Sequence, residues 1–234
     1  MKPLATAPSL TEQAYQAILD EICEGAMPAG APLIQEQLAR TLGVSRHPIQ
    51  QAMALLKADG LAEEAPGRGL RVAELDRETM LQHYQIRAAL DGLAARLAAG
   101  RAARSAGERQ RLASRGSAIM AEGLAAVAAG SVKRMVRHDV ELHGLIYEYS
   151  GNPLIARAAE PHWRQLRRVM GEVLRRAEPP DVIWRQHQDI LDAVVAGDAA
   201  RAEQQALAHV ERAAQGLASA LGAEAGDARR EPGR

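Results

Sequence analysis

Gly43, set between two short amphipathic runs, constrains this chain more than any other feature. Ahead of it Ile34, Leu38 and Leu42 recur at helical spacing, and the glycine breaks that helix where the backbone must turn sharply. Beyond it Ser45 is suited to cap a second helix through its side-chain oxygen. Pro48 falls in that helix's first turn, where a missing N–H costs little. The second helix then buries Ile49, Met53 (or Ala52) and Leu56, leaving Arg46, His47, Gln50 and Lys57 outward, and Asp59-Gly60 ends it. Leu61–Ala65 and Leu70–Ala73 read as two short strands around Pro66-Gly67-Arg68-Gly69. The expected head is a winged helix-turn-helix with a cation at the wing tip.

Such a head suits DNA, because a helix fits the major groove and its exposed N-terminal residues reach base edges. Arg46 is the best candidate reader of base or phosphate, and Gln50 is suited to bidentate contact with adenine. Ser45, His47 and Lys57 share the exposed side, while Gly67 and Arg68 form the wing contact. Charge tempers this reading. The chain is formally neutral, and its first 73 residues hold six Lys/Arg against eight Asp/Glu. That balance implies weak non-specific affinity and operator binding that relies on two copies acting together.

The 234 residues suffice for two domains with real cores. With 47% apolar residues, 3% aromatics and no Phe, those cores must be built from Ala, Leu, Ile and Val, which favours closely packed helices. The single Cys23 excludes an internal disulfide and fits a reducing cytoplasm. No apolar leader follows Lys2 and no run approaches membrane-spanning length, so the expectation is a soluble, cytoplasmic protein with no membrane partner.

The expected organisation is a DNA-binding head over residues 1–73, a linker over 74–78 and a helical domain over 79–221. Met80, Tyr84, Ile86, Leu90, Leu93 and Leu97 lie at helical spacing and end near Gly100. Further helices are expected from Gly107 to Glu122 or Ala128, from a Ser131 cap to Tyr149, and from Leu154 to Arg176. Two more should run from Asp181 to Val195 and from Ala199 to Leu221. The Gly-, Arg- and acid-rich tail, 222–234, reads as disordered. The fold class is therefore mainly α, a winged head followed by an all-helical bundle.

Chemistry in the second domain concentrates on histidine. Asp139 and His143 are four residues apart and share a helix face; His187 and His209 each sit within an apolar pattern on later helices. A bundle can gather the four at its centre as a set suited to a divalent metal. Taken alone, a histidine on an apolar face is more often a satisfied core residue. His138 points elsewhere on its helix, and His83 and His162 have no partner legible in the sequence.

Residues 10–73 resemble the GntR family of bacterial transcription factors. The match is carried by Leu38-Ala39, Gly43-Val44-Ser45-Arg46, Pro48, Leu55-Leu56, Asp59-Gly60-Leu61 and the glycine-bearing wing. Gln50-Gln51 stand where that family usually has Arg-Glu, and Ile34 stands where Ser often caps the first helix of the motif. From Thr79 to Leu221 the chain looks like the FCD effector domain of the FadR-type branch. Its signals are Ile86-Arg87-Ala88-Ala89-Leu90-Asp91, Asp139-x-x-x-His143 before Gly151-Asn152-Pro153, His187 with Ile190-Leu191-Asp192-Ala193, and His209. Leu142 replaces a common Phe, Asp91 a common Glu, and Trp184 brings an aromatic towards the expected pocket mouth.

The resemblance implies that Asp139, His143, His187 and His209 ligate a divalent metal, zinc or nickel, with a position left open for a small carboxylate. It offers Arg87 as the anion contact, though a surface or interhelical salt bridge is the competing use. Asn152 is either a pocket hydrogen-bonder or a helix stop. The implied protein is a homodimeric, metabolite-responsive regulator, a repressor in the usual direction, binding a pseudo-palindromic operator. A metal-dependent hydrolase is the alternative from another class, since such sites also activate water. It needs a further general base, which no motif in the chain supplies.

Overall fold

The structure is a computed structural model that describes residues 8–67, 69–176 and 179–227. The chain divides into two compact units, Met1–Asp76 and Arg77–Arg234.

In the first unit, α1 (Leu10–Cys23) starts at Ser9, whose side chain accepts from the Glu12 N–H. It is followed by β1 (Pro32–Leu33), α2 (Gln35–Leu42), α3 (Arg46–Ala58), β2 (Ala62–Glu64) and β3 (Leu70–Val72). Gly43 closes α2 at φ +66, a conformation that would strain any residue with a Cβ. Ile18, Leu19, Leu38, Ile49, Ala52, Leu56, Leu61 and Val72 form one buried cluster, so the predicted face of α3 is the buried one. Burying each of the Ile, Leu and Val side chains among them contributes about 1.5–3 kcal/mol. The wing is shorter than the sequence suggests. β2 and β3 pair antiparallel (Ala62 with Val72, Glu64 with Leu70), and β1, unforeseen, adds to the other edge of β3.

The second unit comprises α4 (Arg77–Arg104), α5 (Ala106–Ala128), α6 (Val132–Ser150), α7 (Pro153–Arg176), α8 (Pro180–Ala196) and α9 (Ala199–Asp227). Three boundaries differ from expectation. α4 begins inside the expected linker, whose Arg77 and Glu78 are helical. α4 also continues past Gly100, and α9 runs through 222–227 of the expected disordered tail; residues 228–234 lie outside the described residues.

The expected apolar stripe of α4 holds in part: Met80 and Tyr84 are buried, and Leu90, Leu93 and Leu97 pack partly buried against the core. Ile86 is exposed, and the buried stripe is Met80, Tyr84, Arg87, Asp91, Ala95, Ala98 and Ala102. Small residues along it allow close approach: a Cβ on Gly92 would stand 2.9 Å from Leu207 of α9. The buried charges on the same stripe bring α4 into the site.

Candidate metal centre and nucleic-acid interface

α6 carries Asp139 and His143 one turn apart, α8 carries His187, and α9 carries His209. All four are buried, and one ligand atom from each lies within 4.8 Å of the others. His187 Nε2 stands 3.0 Å from Asp139 Oδ1 and 3.2 Å from His209 Nε2, and His143 Nε2 is 4.0 Å from Asp139 Oδ2. Ligand atoms held roughly 2.0–2.2 Å from one centre stand about 3–4 Å apart, the range of these three pairs, and the set as a whole lies within 4.8 Å.

Two features of the surroundings fit a cation. Asp139 Oδ2 is buried with no hydrogen-bond partner, an acceptor that costs free energy as it stands. Two of the imidazoles also have their far nitrogens engaged. His143 Nδ1 donates to Asp91 Oδ2 at 3.1 Å, and His209 Nδ1 donates to Gln186 Oε1 at 2.9 Å. Each contact leaves an Nε2 lone pair directed at the cluster, the arrangement that metal-ligating histidines use. His187 Nδ1 is buried without a partner, its ring packed edge-on against Trp184.

Protonation agrees with that use. Burial pushes the His187 and His209 imidazoles below their ordinary value, His209 far below with the neighbouring histidines adding to it. Burial acts to raise the Asp139 carboxyl, but His187, His143 and Arg87 outweigh it and keep it ionised. Neutral imidazoles and an ionised carboxylate are the forms a metal requires.

Arg87 is the anion-contact candidate, and it does reach the cluster. Only 2% exposed, it lies 3.8 Å over the Trp163 ring, pairs through Nε with Asp91 Oδ2 at 3.2 Å, and donates from Nη2 to His143 Nε2 at 2.9 Å. Its salt bridge is therefore within α4 rather than between helices. Tyr147 donates to the other Asp91 oxygen and accepts from Trp163 Nε1 at 3.0 Å. Burial acts to raise the Asp91 carboxyl, but His143 and Arg87 overcome it and hold it low.

Sequence reasoning missed Asp91, Tyr147, Trp163 and Gln186 as site residues. The legible signal was spacing, since Asp91 is four after Arg87 and Tyr147 four after His143. Asn152 caps the start of α7, its Oδ1 accepting from the Leu154 N–H at 3.1 Å, while Gly151 in the left-handed conformation ends α6. Trp184 is not at a mouth but 1% exposed, against His187.

His138 is buried and bonded to Glu141 at 2.7 Å. His83 and His162 partner each other, Nδ1 to Nδ1 at 2.8 Å, so one ring donates and the other must stay unprotonated there. Burial depresses both, and the charge of His162 further depresses His83. Below the ordinary value of 6.5 the unfolded chain therefore binds more protons than the folded one. The pair's contribution to stability should fall as pH drops from that value through the depressed ones. In thermal melts over that window, His162→Gln should flatten the acid-side slope; a slope equal to that of the unchanged chain counts against the pair.

On the head, α3 presents Arg46, His47 and Gln50 to solvent. Ser45 occupies the cap position of α3 but makes no side-chain cap hydrogen bond, contrary to expectation. Arg46 lies 3.3 Å from Glu36 in an exposed ion pair, and His47 Nε2 lies 3.0 Å from Gln51. Lys57 is tied to Glu64 of β2 at 2.5 Å. Exposed pairs of this kind are screened by solvent and contribute little, so a phosphate can displace them. Gly67 is exposed at the wing with φ +103, and Arg68 lies outside the described residues.

Residues 10–72 match the family described as bacterial regulatory proteins, gntR family, and residues 82–212 match the FCD domain. The chain is 32% identical over 209 residues to a probable D-xylose utilization operon transcriptional repressor of Paenarthrobacter nicotinovorans, covering 88% of this chain and 87% of that one. By fold it is similar to Escherichia coli McbR/YncC, with TM-score 0.76 and 21% identity over 92% of this chain and 99% of that one. It is also similar to a GntR regulator from Rhodococcus sp. RHA1, with TM-score 0.71 and 20% identity over 91% and 98% of the two chains. No helix among the described residues is long and apolar enough to cross a membrane. The chain belongs to the GntR family of bacterial regulatory proteins, a transcriptional regulator with a winged helix-turn-helix head and an FCD domain, and not an enzyme.

Proposed function

We propose that this regulator is a homodimeric repressor acting in the cytoplasm on a pseudo-palindromic operator. Its FCD domain holds a divalent metal, zinc or nickel, and senses a small carboxylate. The carrying observation is the buried set of Asp139, His143, His187 and His209 with Arg87 against it. With the imidazoles neutral, as metal binding requires, the carboxylates of Asp91 and Asp139 face one guanidinium there, leaving a net negative charge that suits a divalent cation. With that cation bound the balance turns positive, which favours an anionic ligand beside Arg87. Chemically, a bound metal would supply a Lewis-acidic point for a carboxylate oxygen, while Arg87 offers hydrogen-bond donors to the same anion. Repression as the direction follows the name of the Paenarthrobacter relative. Ser45, Arg46, His47, Gln50, Lys57, Gly67 and Arg68 are the proposed DNA contacts, and an anion that binds one state of the FCD domain better shifts operator affinity.

Footprinting and gel-shift titration on the operator test the DNA side. A bidentate base contact is worth about 1–3 kcal/mol, and a dimer makes it twice. Arg46→Ala should therefore weaken operator binding on the order of 30-fold or more, with metal content unchanged. Ordinary operator affinity in Arg46→Ala would overturn the groove assignment.

A further inference from the structure

One atom in the cluster serves two claimants. His143 Nδ1 gives its proton to Asp91 Oδ2 at 3.1 Å, so Nε2 keeps its lone pair. That lone pair now accepts from Arg87 Nη2 at 2.9 Å. It is also the ligand atom His143 contributes to the four-residue set. A guanidinium only donates and an imidazole nitrogen has one lone pair, so Nε2 can serve Arg87 or a cation, not both.

Arg87 cannot simply withdraw into water. It is 2% exposed, stacked on Trp163 and tied through Nε to Asp91. The Nε contact can persist while the Nη2 end turns away from His143, but the freed N–H groups then need an acceptor inside the protein. A buried donor left unmet is costly, more so for a charged group, and the neighbouring cation adds repulsion. A carboxylate removes both penalties, since its oxygens accept from the guanidinium and its charge offsets the two cations.

We infer that Arg87 is a built-in competitor for His143: without an anion it holds the lone pair the metal needs, and a small carboxylate draws it off, so that metal and carboxylate bind cooperatively. The inference rests on the proposed metal centre and adds to it a direction of coupling. By linkage the carboxylate tightens the metal by the same factor as the metal tightens the carboxylate.

The test is zinc affinity of the full-length metal-free protein, measured by competition with a chromophoric chelator. Titrations run in excess acetate and in chloride at matched ionic strength. The unchanged protein should bind zinc about 5- to 150-fold more tightly in acetate, the usual range for coupled sites. Arg87→Met, confirmed folded by circular dichroism, should bind zinc more tightly than the unchanged protein in chloride and show no gain from acetate. The acetate effect in the unchanged protein requires no substitution, so it stands even where Arg87→Met fails to fold. Zinc binding that ignores acetate would overturn the coupling while leaving the metal centre in place. An Arg87→Met protein no tighter in chloride than the unchanged one would do the same. No zinc binding by the unchanged protein would overturn both.

Discussion

Zinc binding should disappear when His187 and His209 are both replaced by alanine, and with it the stabilisation that zinc confers. These residues would contribute two of the four proposed ligand atoms, from α8 and α9, 3.2 Å apart. Losing a mere hydrogen-bond partner of a metal-ligating histidine costs roughly 10–100-fold in affinity. Deleting two ligands outright should exceed the upper end of that range. The unchanged protein should gain about 2.7 kcal/mol in stability at free zinc one hundred times its Kd, because only the folded chain would hold the site. The double variant should show no such gain. Since two truncated imidazoles also leave space in a packed interior, Asp139→Asn is the companion variant. It keeps the shape and a partner for His187 but removes the charge, and its zinc affinity should fall while its helical content stays. Elemental analysis and thermal melts with and without zinc read both variants; full zinc occupancy in either would refute the ligand set.

The head was legible because its determinants are local. Gly43, Pro48 and the spacing of Ile49, Met53 and Leu56 fix two helices and their angle within a few residues, and the structure buries that face. The strand β1 was not legible, since a two-residue strand exists only through its pairing with β3 across an intervening helix-turn-helix. In the FCD domain the clustering of Asp139, His143, His187 and His209 could be anticipated from Asp139-x-x-x-His143, two histidines in apolar surroundings and the family resemblance. What surrounds the ligands could not. The α4 leucines Leu90, Leu93 and Leu97 suggested one buried face, but the helix turns Arg87, Asp91 and a row of alanines inward. Two opposite charges four residues apart usually mark a solvated face. Here they are buried because His143, Tyr147 and Trp163, remote in sequence, satisfy their polar atoms and cover them. Likewise Gln186 is only a neighbour of His187 in the chain, until α9 brings His209 Nδ1 to within 2.9 Å of it.

Gly123→Ala should destabilise the FCD domain and weaken its metal site, although alanine is the better helix former. In the interior of a helix that exchange gains up to about 1 kcal/mol from propensity alone. At Gly123 of α5, however, a Cβ would stand 1.9 Å from Cη2 and 2.1 Å from Cζ3 of Trp184. Trp184 is 1% exposed, and its ring centroid lies 5.0 Å from that of His187. The indole therefore cannot swing to solvent, and yielding to the new methyl moves it against a metal-ligand candidate. Overpacking of this kind costs typically 1–3 kcal/mol, which outweighs the propensity gain. Gly144 of α6 is the control, because a Cβ there meets nothing within 4 Å; Gly144→Ala should stabilise by roughly 0.5–1 kcal/mol. Denaturant melts would show the two alanines acting in opposite directions. A double-mutant cycle with Trp184→Leu locates the cause. If the ring is what the methyl strikes, the cost of Gly123→Ala should shrink in the Trp184→Leu background, leaving an interaction term of the 0.5–3 kcal/mol expected for residues in contact. Additive costs would mean that the glycine is required for some reason other than the indole edge.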